Sequence, residues 1–285
     1  MKKYILLIVL LITTTVALTG CIKKDNMDNI KIITTTYPIT YLAEEIYGSN
    51  STVTSIYPNG VNINEYEITD KQIKEYAKSD LFIYNGLDSN EKKLATRLLN
   101  QNKKIKLIDA TQGLKLESTY EELWLSPSNY LMIAQNIKVH LSDEIKSTVI
   151  KKNLDKRYEN MKLIISKYDA QFKIIAENAK NKDVIVANNS LKFLTRYGFN
   201  VISIDEKEDK YKSNLSLAKE KIKDGKNKTI FIIDSKENDT VKELVKEPTV
   251  VKSMTILSVD DIKNNETYET MMNTFIENLR TEVYS

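Results

Sequence analysis

The sequence is poor in the residues on which much enzyme chemistry depends. It holds one histidine, His140, and one cysteine, Cys21, in 285 residues. The usual nucleophile and acid–base pairs are therefore nearly excluded, and no internal disulfide can form. There is no glycine-rich phosphate loop, no G-x-S-x-G elbow and no HExxH. Paired carboxylates, as in glycosidases, remain, but no second feature accompanies them. An enzyme is not expected. Glycine (7) and proline (4) are also scarce, which argues against a loop-rich or all-β fold. Neither sign of charge is in large excess, so nothing suggests a nucleic-acid partner. No internal repeat or low-complexity tract is present.

What is present begins with an address. Met1-Lys2-Lys3 precedes an apolar run from Tyr4 to about Val16, then Leu18-Thr19-Gly20-Cys21. Charged and apolar regions in that order form a secretory signal, and the run is short for a membrane span. Small residues before Cys21 resemble a bacterial lipobox, which implies cleavage before Cys21 and its lipidation. The alternative is an uncleaved N-terminal anchor. Residues 1–20 are thus read as signal peptide and 21–29 as a polar tether. Loss of Lys2 and Lys3 leaves a formal charge of about +1.

Periodicity organises the remainder. Ile30 to Thr36 is a β-branched run before a proline and reads as a strand; Thr40 to Tyr47 has helical spacing and ends at Gly48. Ser51–Tyr57, Asp80–Tyr84 and Ile105–Asp109 read as further strands. Helices are expected over Lys71–Lys78, with Thr69 and Asp70 as cap, and over Asn90–Asn100. Alternating strands and helices imply a parallel sheet covered on both faces. This α/β lobe is assigned to residues 30–141.

From Leu154 to Ala179, apolar residues recur at spacings of four and three, with no glycine or proline between Val149 and Ala179. That stripe predicts one helix of about 45 Å, within a linking segment at 142–181. It reads as a spine packed along two lobes of the same molecule; a coiled-coil seam is the alternative. Strand and helix patterns then resume: strands at Asp183–Ala187, Val201–Ile204, Thr229–Asp234 and Thr255–Ser258. Helices are expected at Leu191–Tyr197, Leu215–Lys223, Thr240–Lys246 and Tyr268–Glu282. The second α/β lobe is assigned to 182–285. Open parallel sheets bind ligands at the carboxyl ends of their strands, so a cleft between the lobes is the expected site.

Several blocks carry a family resemblance. Thr34-Thr35-Thr36-Tyr37-Pro38, Tyr57-Pro58-Asn59-Gly60 through Thr69, and Ala77 through Gly86 occur in order. Leu123-Trp124-Leu125-Ser126-Pro127, Asn189 through Gly198, and Tyr268 with Met271-Met272 follow. Together they resemble the zinc/manganese class (cluster A-I) of ABC solute-binding proteins, also called the adhesin-lipoprotein family. The resemblance implies two α/β lobes joined by a rigid helix. It also implies a transported divalent metal ion of the Mn or Zn class, an ABC permease with its ATPase, and a monomer. The protein would be lipid-anchored on the extracytoplasmic face of the cell membrane.

The same resemblance places the metal ligands at Asn64, Glu122, Asn188 and Asp260. The family commonly supplies histidine at the first two, histidine or glutamate at the third and an acidic residue at the fourth, so Asp260 fits the pattern and no histidine occupies the others. Tyr37, Glu65, Tyr66, Trp124 and Asp261 would line the cleft. Zinc favours imidazole and thiolate; carboxylate and amide oxygens form a harder set that suits manganese, calcium or magnesium. Plain alternatives stand beside each assignment: a solvated acidic turn for Glu122, a turn residue for Asn64, core packing for Trp124. His140 reads as a surface residue of a helix. The functional expectation is capture of a divalent cation for import. The alternatives are a surface adhesin-like or diverged lipoprotein that has lost metal binding, or one that binds a non-metal solute.

Overall fold

The computed structural model describes residues 25–58, 66–233, 238–245, 249–254 and 267–285. Cys21 and the strand expected at Thr255–Ser258 lie outside these residues.

The first sheet starts with β1 (Ile30–Thr34), whose neighbours face opposite ways. Ile32 enters the principal core, and Ile33 enters a second cluster with Ile73, Phe82 and Leu98 on the other face. A strand buried on both sides cannot alternate apolar with polar, hence its continuous hydrophobic pattern. Helix α1 (Tyr37–Tyr47) begins three residues earlier than the sequence suggests. The reason is Pro38, which occupies the first turn, where a missing N–H costs nothing. Next come β2 (Ser51–Ser55) and α2 (Asp70–Tyr76). Thr69 and Gln72 close a reciprocal capping box at the start of α2. Then follow β3 (Leu81–Tyr84), α3 (Ser89–Gln101) and β4 (Lys106–Asp109). The strands are all parallel, in the order β2-β1-β3-β4.

A one-turn helix, α4 (Glu122–Leu125), leads into α5 (Pro127–Glu144) and then α6 (Thr148–Asn178). Ser147 caps α6 by accepting from the Ile150 N–H. The expected stripe on α6, Leu154, Tyr158, Met161, Ile165, Tyr168, Phe172 and Ile175, is buried. It packs against α1 and α5 on one side, and against α9 (Tyr268–Tyr284) and the 3-10 helix Asn189–Tyr197 on the other. The chain's own two halves therefore cover this seam.

The second sheet repeats the first. It contains β5 (Asp183–Val186), β6 (Asn200–Ser203), β7 (Thr229–Ile233) and β8 (Val250–Met254), all parallel, in the order β6-β5-β7-β8. Helices α7 (Tyr211–Lys223) and α8 (Asp239–Leu244) supply crossovers. The 3-10 helix after β5 ends at Gly198, whose φ of +93° lies in the left-handed region that favours glycine. β8 is absent from the strands that periodicity predicts, because in its sequence VVKSM only Val250 and Val251 are adjacent apolar residues before Lys252 and Ser253 break the run.

The two halves share one core. Tyr268 of α9 lies 4.3 Å from Tyr130 of α5 and 5.8 Å from Tyr168 of α6, ring centre to ring centre. Phe172 of α6 contacts Phe193 at 5.7 Å and Phe275 at 6.0 Å. Such contacts resist large relative motion of the lobes.

Candidate functional site

The segments after the carboxyl ends of the two sheets meet. The stretch from Glu117 to Asn129 follows β4, and the stretch from Asn188 to Tyr197 follows β5. They touch at two places. The Thr119 and Ser190 hydroxyls share a hydrogen bond. Arg196 reaches across to a group of N-lobe oxygens.

Glu122 sits at the centre of this contact and is only 3 % exposed. Its Oε1 lies 2.9 Å from Arg196 Nη2, and its Oε2 accepts from the Ser118 hydroxyl at 2.7 Å. The same Nη2 lies 2.7 Å from Glu117 Oε2. Nη1 makes longer contacts with Ser126 Oγ (3.3 Å), Ser128 Oγ (3.4 Å) and Asn129 Oδ1 (3.4 Å). A solvated acidic turn is thus not the local structure: Glu122 is a buried, charge-paired carboxylate. Trp124, two residues on, is 8 % exposed and belongs to the principal core.

Asn188 lies at the start of the 3-10 helix, where strand order reverses between β5 and β7. Its Oδ1 accepts from the Ile233 N–H at 2.9 Å, tying the ends of β5 and β7 together. Next to it, Asn189 Oδ1 accepts from Ser203 Oγ at 2.8 Å and links β6. Tyr37 opens α1, half-buried, with its ring 6.2 Å from that of Tyr41. Tyr66 meets Tyr57 edge-on at 6.1 Å, and its hydroxyl accepts from Gln72 Nε2. Asn64, Glu65, Asp260 and Asp261 lie outside the described residues. Among the described residues, no group of three histidine, cysteine or acidic side chains is placed to hold a metal ion. His140 lies on α5, with Nε2 2.9 Å from Gln112 Oε1 at the surface.

Two features escape sequence reasoning. One is Arg196. A signal for it does exist: a glutamate in place of a histidine introduces a charge that a buried position must balance. The other is Glu91, in the first turn of α3 and only 5 % exposed. Its Oε2 accepts from the Asn85 N–H at 2.6 Å. The Thr35 hydroxyl, buried and otherwise unpaired, lies beside it. Burial pushes the Glu91 carboxyl up to about 8, against the pull of the Asn85 and Thr35 donors, and the Asp88 and Asp109 charges add to the rise. At neutral pH the group is a neutral acid at the carboxyl edge of the first sheet. Nearby, Gly86 N donates to Asp109 Oδ1 at 3.0 Å; any side chain at Gly86 would collide with that carboxylate.

The profile of a family described as zinc-uptake complex component A, periplasmic (ZnuA), matches residues 32–282. The chain belongs to this family. A metal ABC transporter substrate-binding lipoprotein of Lactococcus lactis subsp. lactis (strain IL1403) is 24 % identical over 95 % of this chain and 94 % of its own length. The manganese ABC transporter substrate-binding lipoprotein PsaA of Streptococcus pneumoniae serotype 4 is 25 % identical over 95 % of this chain and 96 % of its own. The Zn(II)-bound ZnuA-like domain of Streptococcus pneumoniae AdcA superposes with a TM-score of 0.70 at 20 % identity, covering 90 % of this chain and all of that one. The ZnuA fold, two parallel-sheet α/β lobes with flanking helices, is thus the architecture of this chain. ZnuA-family proteins are solute-binding components of transporters.

Proposed function

We propose that this protein is the extracytoplasmic solute-binding lipoprotein of a metal-ion ABC importer. It captures a divalent cation between its lobes and delivers it to a membrane permease driven by an ATPase. The observation that carries this reading is the meeting of the two carboxyl-edge segments around a buried carboxylate, Glu122, in a ZnuA-family fold. The manganese and zinc named for its relatives place the cargo in that class.

Asn64, Glu122, Asn188 and Asp260 form the proposed ligand set, with Tyr37, Glu65, Tyr66, Trp124 and Asp261 around it. Oxygen donors alone favour a hard ion such as manganese over zinc. Cys21 is the proposed lipid attachment, holding the monomer at the outer face of the cell membrane beside its permease. The role involves binding and release, with no covalent step, so no catalytic residue is assigned. Because the lobes share the Tyr130, Tyr168 and Tyr268 cluster, loading reorders loops more than it closes lobes.

The test is thermal unfolding with manganese, zinc, iron(II), calcium and a chelator. A ligand bound only by the folded state raises stability, by about 2.7 kcal/mol at a hundredfold excess over Kd. Import of a cation predicts stabilisation by at least one ion, reversed by chelator. No response to any ion at concentrations well above micromolar refutes it.

A further inference from the structure

Glu122 occupies the position where cargo is proposed to bind, yet it already has a cation. Arg196, from the opposite lobe, sets one guanidinium nitrogen against Glu122 and Glu117 at once. The oxygens it contacts all come from the N-lobe stretch between Glu117 and Asn129. Ser118 occupies the remaining Glu122 oxygen. A dication approaching this carboxylate meets a filled coordination position and the repulsion of a positive charge 2.9 Å from the oxygen it needs.

We infer that Arg196 is a resident counter-cation that competes with the cargo ion for Glu122, and thereby sets both affinity and the contact between lobes. This rests on the proposed import function and goes beyond it. The exchange leaves neither charged side chain stranded. The Glu122 carboxylate is 3 % exposed and cannot be left unpaired without a large desolvation cost. Arg196 is 34 % exposed, so its guanidinium has a route to water while Glu117, 66 % exposed, stays with it. An ion that takes Glu122 therefore breaks the buried one of the two ionic links in this contact, together with the weak Ser126, Ser128 and Asn129 contacts, and leaves only the exposed Glu117 pair. The loaded and empty forms then differ at the mouth of the cleft, where a permease would read the difference, without any rotation of the shared core. The arrangement also favours a dication over a monocation, since only the former returns more charge than it displaces.

The experiment uses the full-length protein in detergent and titrates Mn(II) calorimetrically against wild type, Arg196→Gln, Glu122→Gln and the double variant. Hydrogen exchange over residues 117–129 and 189–197 is followed in parallel. Arg196→Gln is expected to bind Mn(II) at least tenfold more tightly than wild type. It should melt lower without the ion and recover more on adding it. Glu122→Gln should abolish that gain. In wild type, Mn(II) should raise exchange at both segments. Arg196→Lys, which keeps a charge and packs more conservatively, should bind between the two; it serves if the glutamine variant does not fold. Mn(II) binding by Arg196→Gln with none by wild type overturns the exchange, since the ion would then never displace Arg196 in the natural protein. Binding by wild type that is unchanged or weakened in both Arg196 variants overturns the competition and leaves import standing. Absence of binding in every variant overturns both.

Discussion

Glu91 offers the sharpest physical test of the first lobe. Its carboxyl is 5 % exposed, and burial raises it from 4.5 to about 8. In the unfolded chain it ionises near the lower value, so the folded state holds a proton that the unfolded state releases. For an acid raised in this way, the stabilising contribution is fully present below the unfolded value and is lost as pH rises through the folded one. A tenfold difference in proton affinity between the two states corresponds to about 1.4 kcal/mol, so the loss between pH 5 and pH 8 comes to about 3 kcal/mol. Glu91→Gln is close in shape to the neutral acid. Its amide oxygen can accept from the Asn85 N–H, and its NH2 can donate to Thr35. The variant should match wild type near pH 5 and exceed it by about 3 kcal/mol near pH 8. Urea unfolding across that range measures both. If the two proteins lose stability in parallel between pH 5 and 8, Glu91 is not a buried neutral acid and the reasoning fails.

Two further outcomes follow from the packing. Phe172→Ala, at a fully buried position where α6 meets Phe193, Tyr197 and Phe275, should cost about 3–5 kcal/mol of unfolding free energy; a loss below about 1 kcal/mol would mean that the spine does not brace the second lobe. Asn188→Ala strips the Ile233 N–H of its acceptor and should cost about 1–2 kcal/mol, whereas Asn188→Asp keeps an acceptor and should cost less; equal losses in chemical denaturation would show that the bond to β7 is not what Asn188 contributes.

Much of the architecture is legible because burial imposes periodicity. Ile30–Thr34 and Thr229–Ile233 read as strands since both faces of each sheet are covered. The stripe from Leu154 to Ile175 reads as one helix because its spacing of four and three keeps it on a single face. Where local signals conflict, boundaries slip. Pro38 marks the end of the first strand's β-branched run in the sequence and proves to lie in the first turn of α1. The 3-10 form of Asn189–Tyr197 has no signature that separates it from a short α-helix.

The candidate site is legible in part. The Glu122 and Asn188 positions follow from ordered sequence blocks, and the structure brings their segments side by side. Their partners are not legible. Nothing in the local sequence ties Arg196 to Glu122, 74 residues away, or Asn188 to the Ile233 amide, 45 residues away. Nor does a glutamate in the first turn of α3 announce a neutral acid, since that position usually suits a charged one.

By itself, then, the amino-acid order determined the element types, the two-lobe plan and the family, because short-range spacing and burial patterns are written along the chain. Only the folded molecule decided which charges neutralise each other, which carboxyl keeps its proton and which oxygens remain for a ligand. Those depend on distance and solvent exclusion between segments far apart in sequence, and electrostatic energy is set by that separation and by the water removed from it.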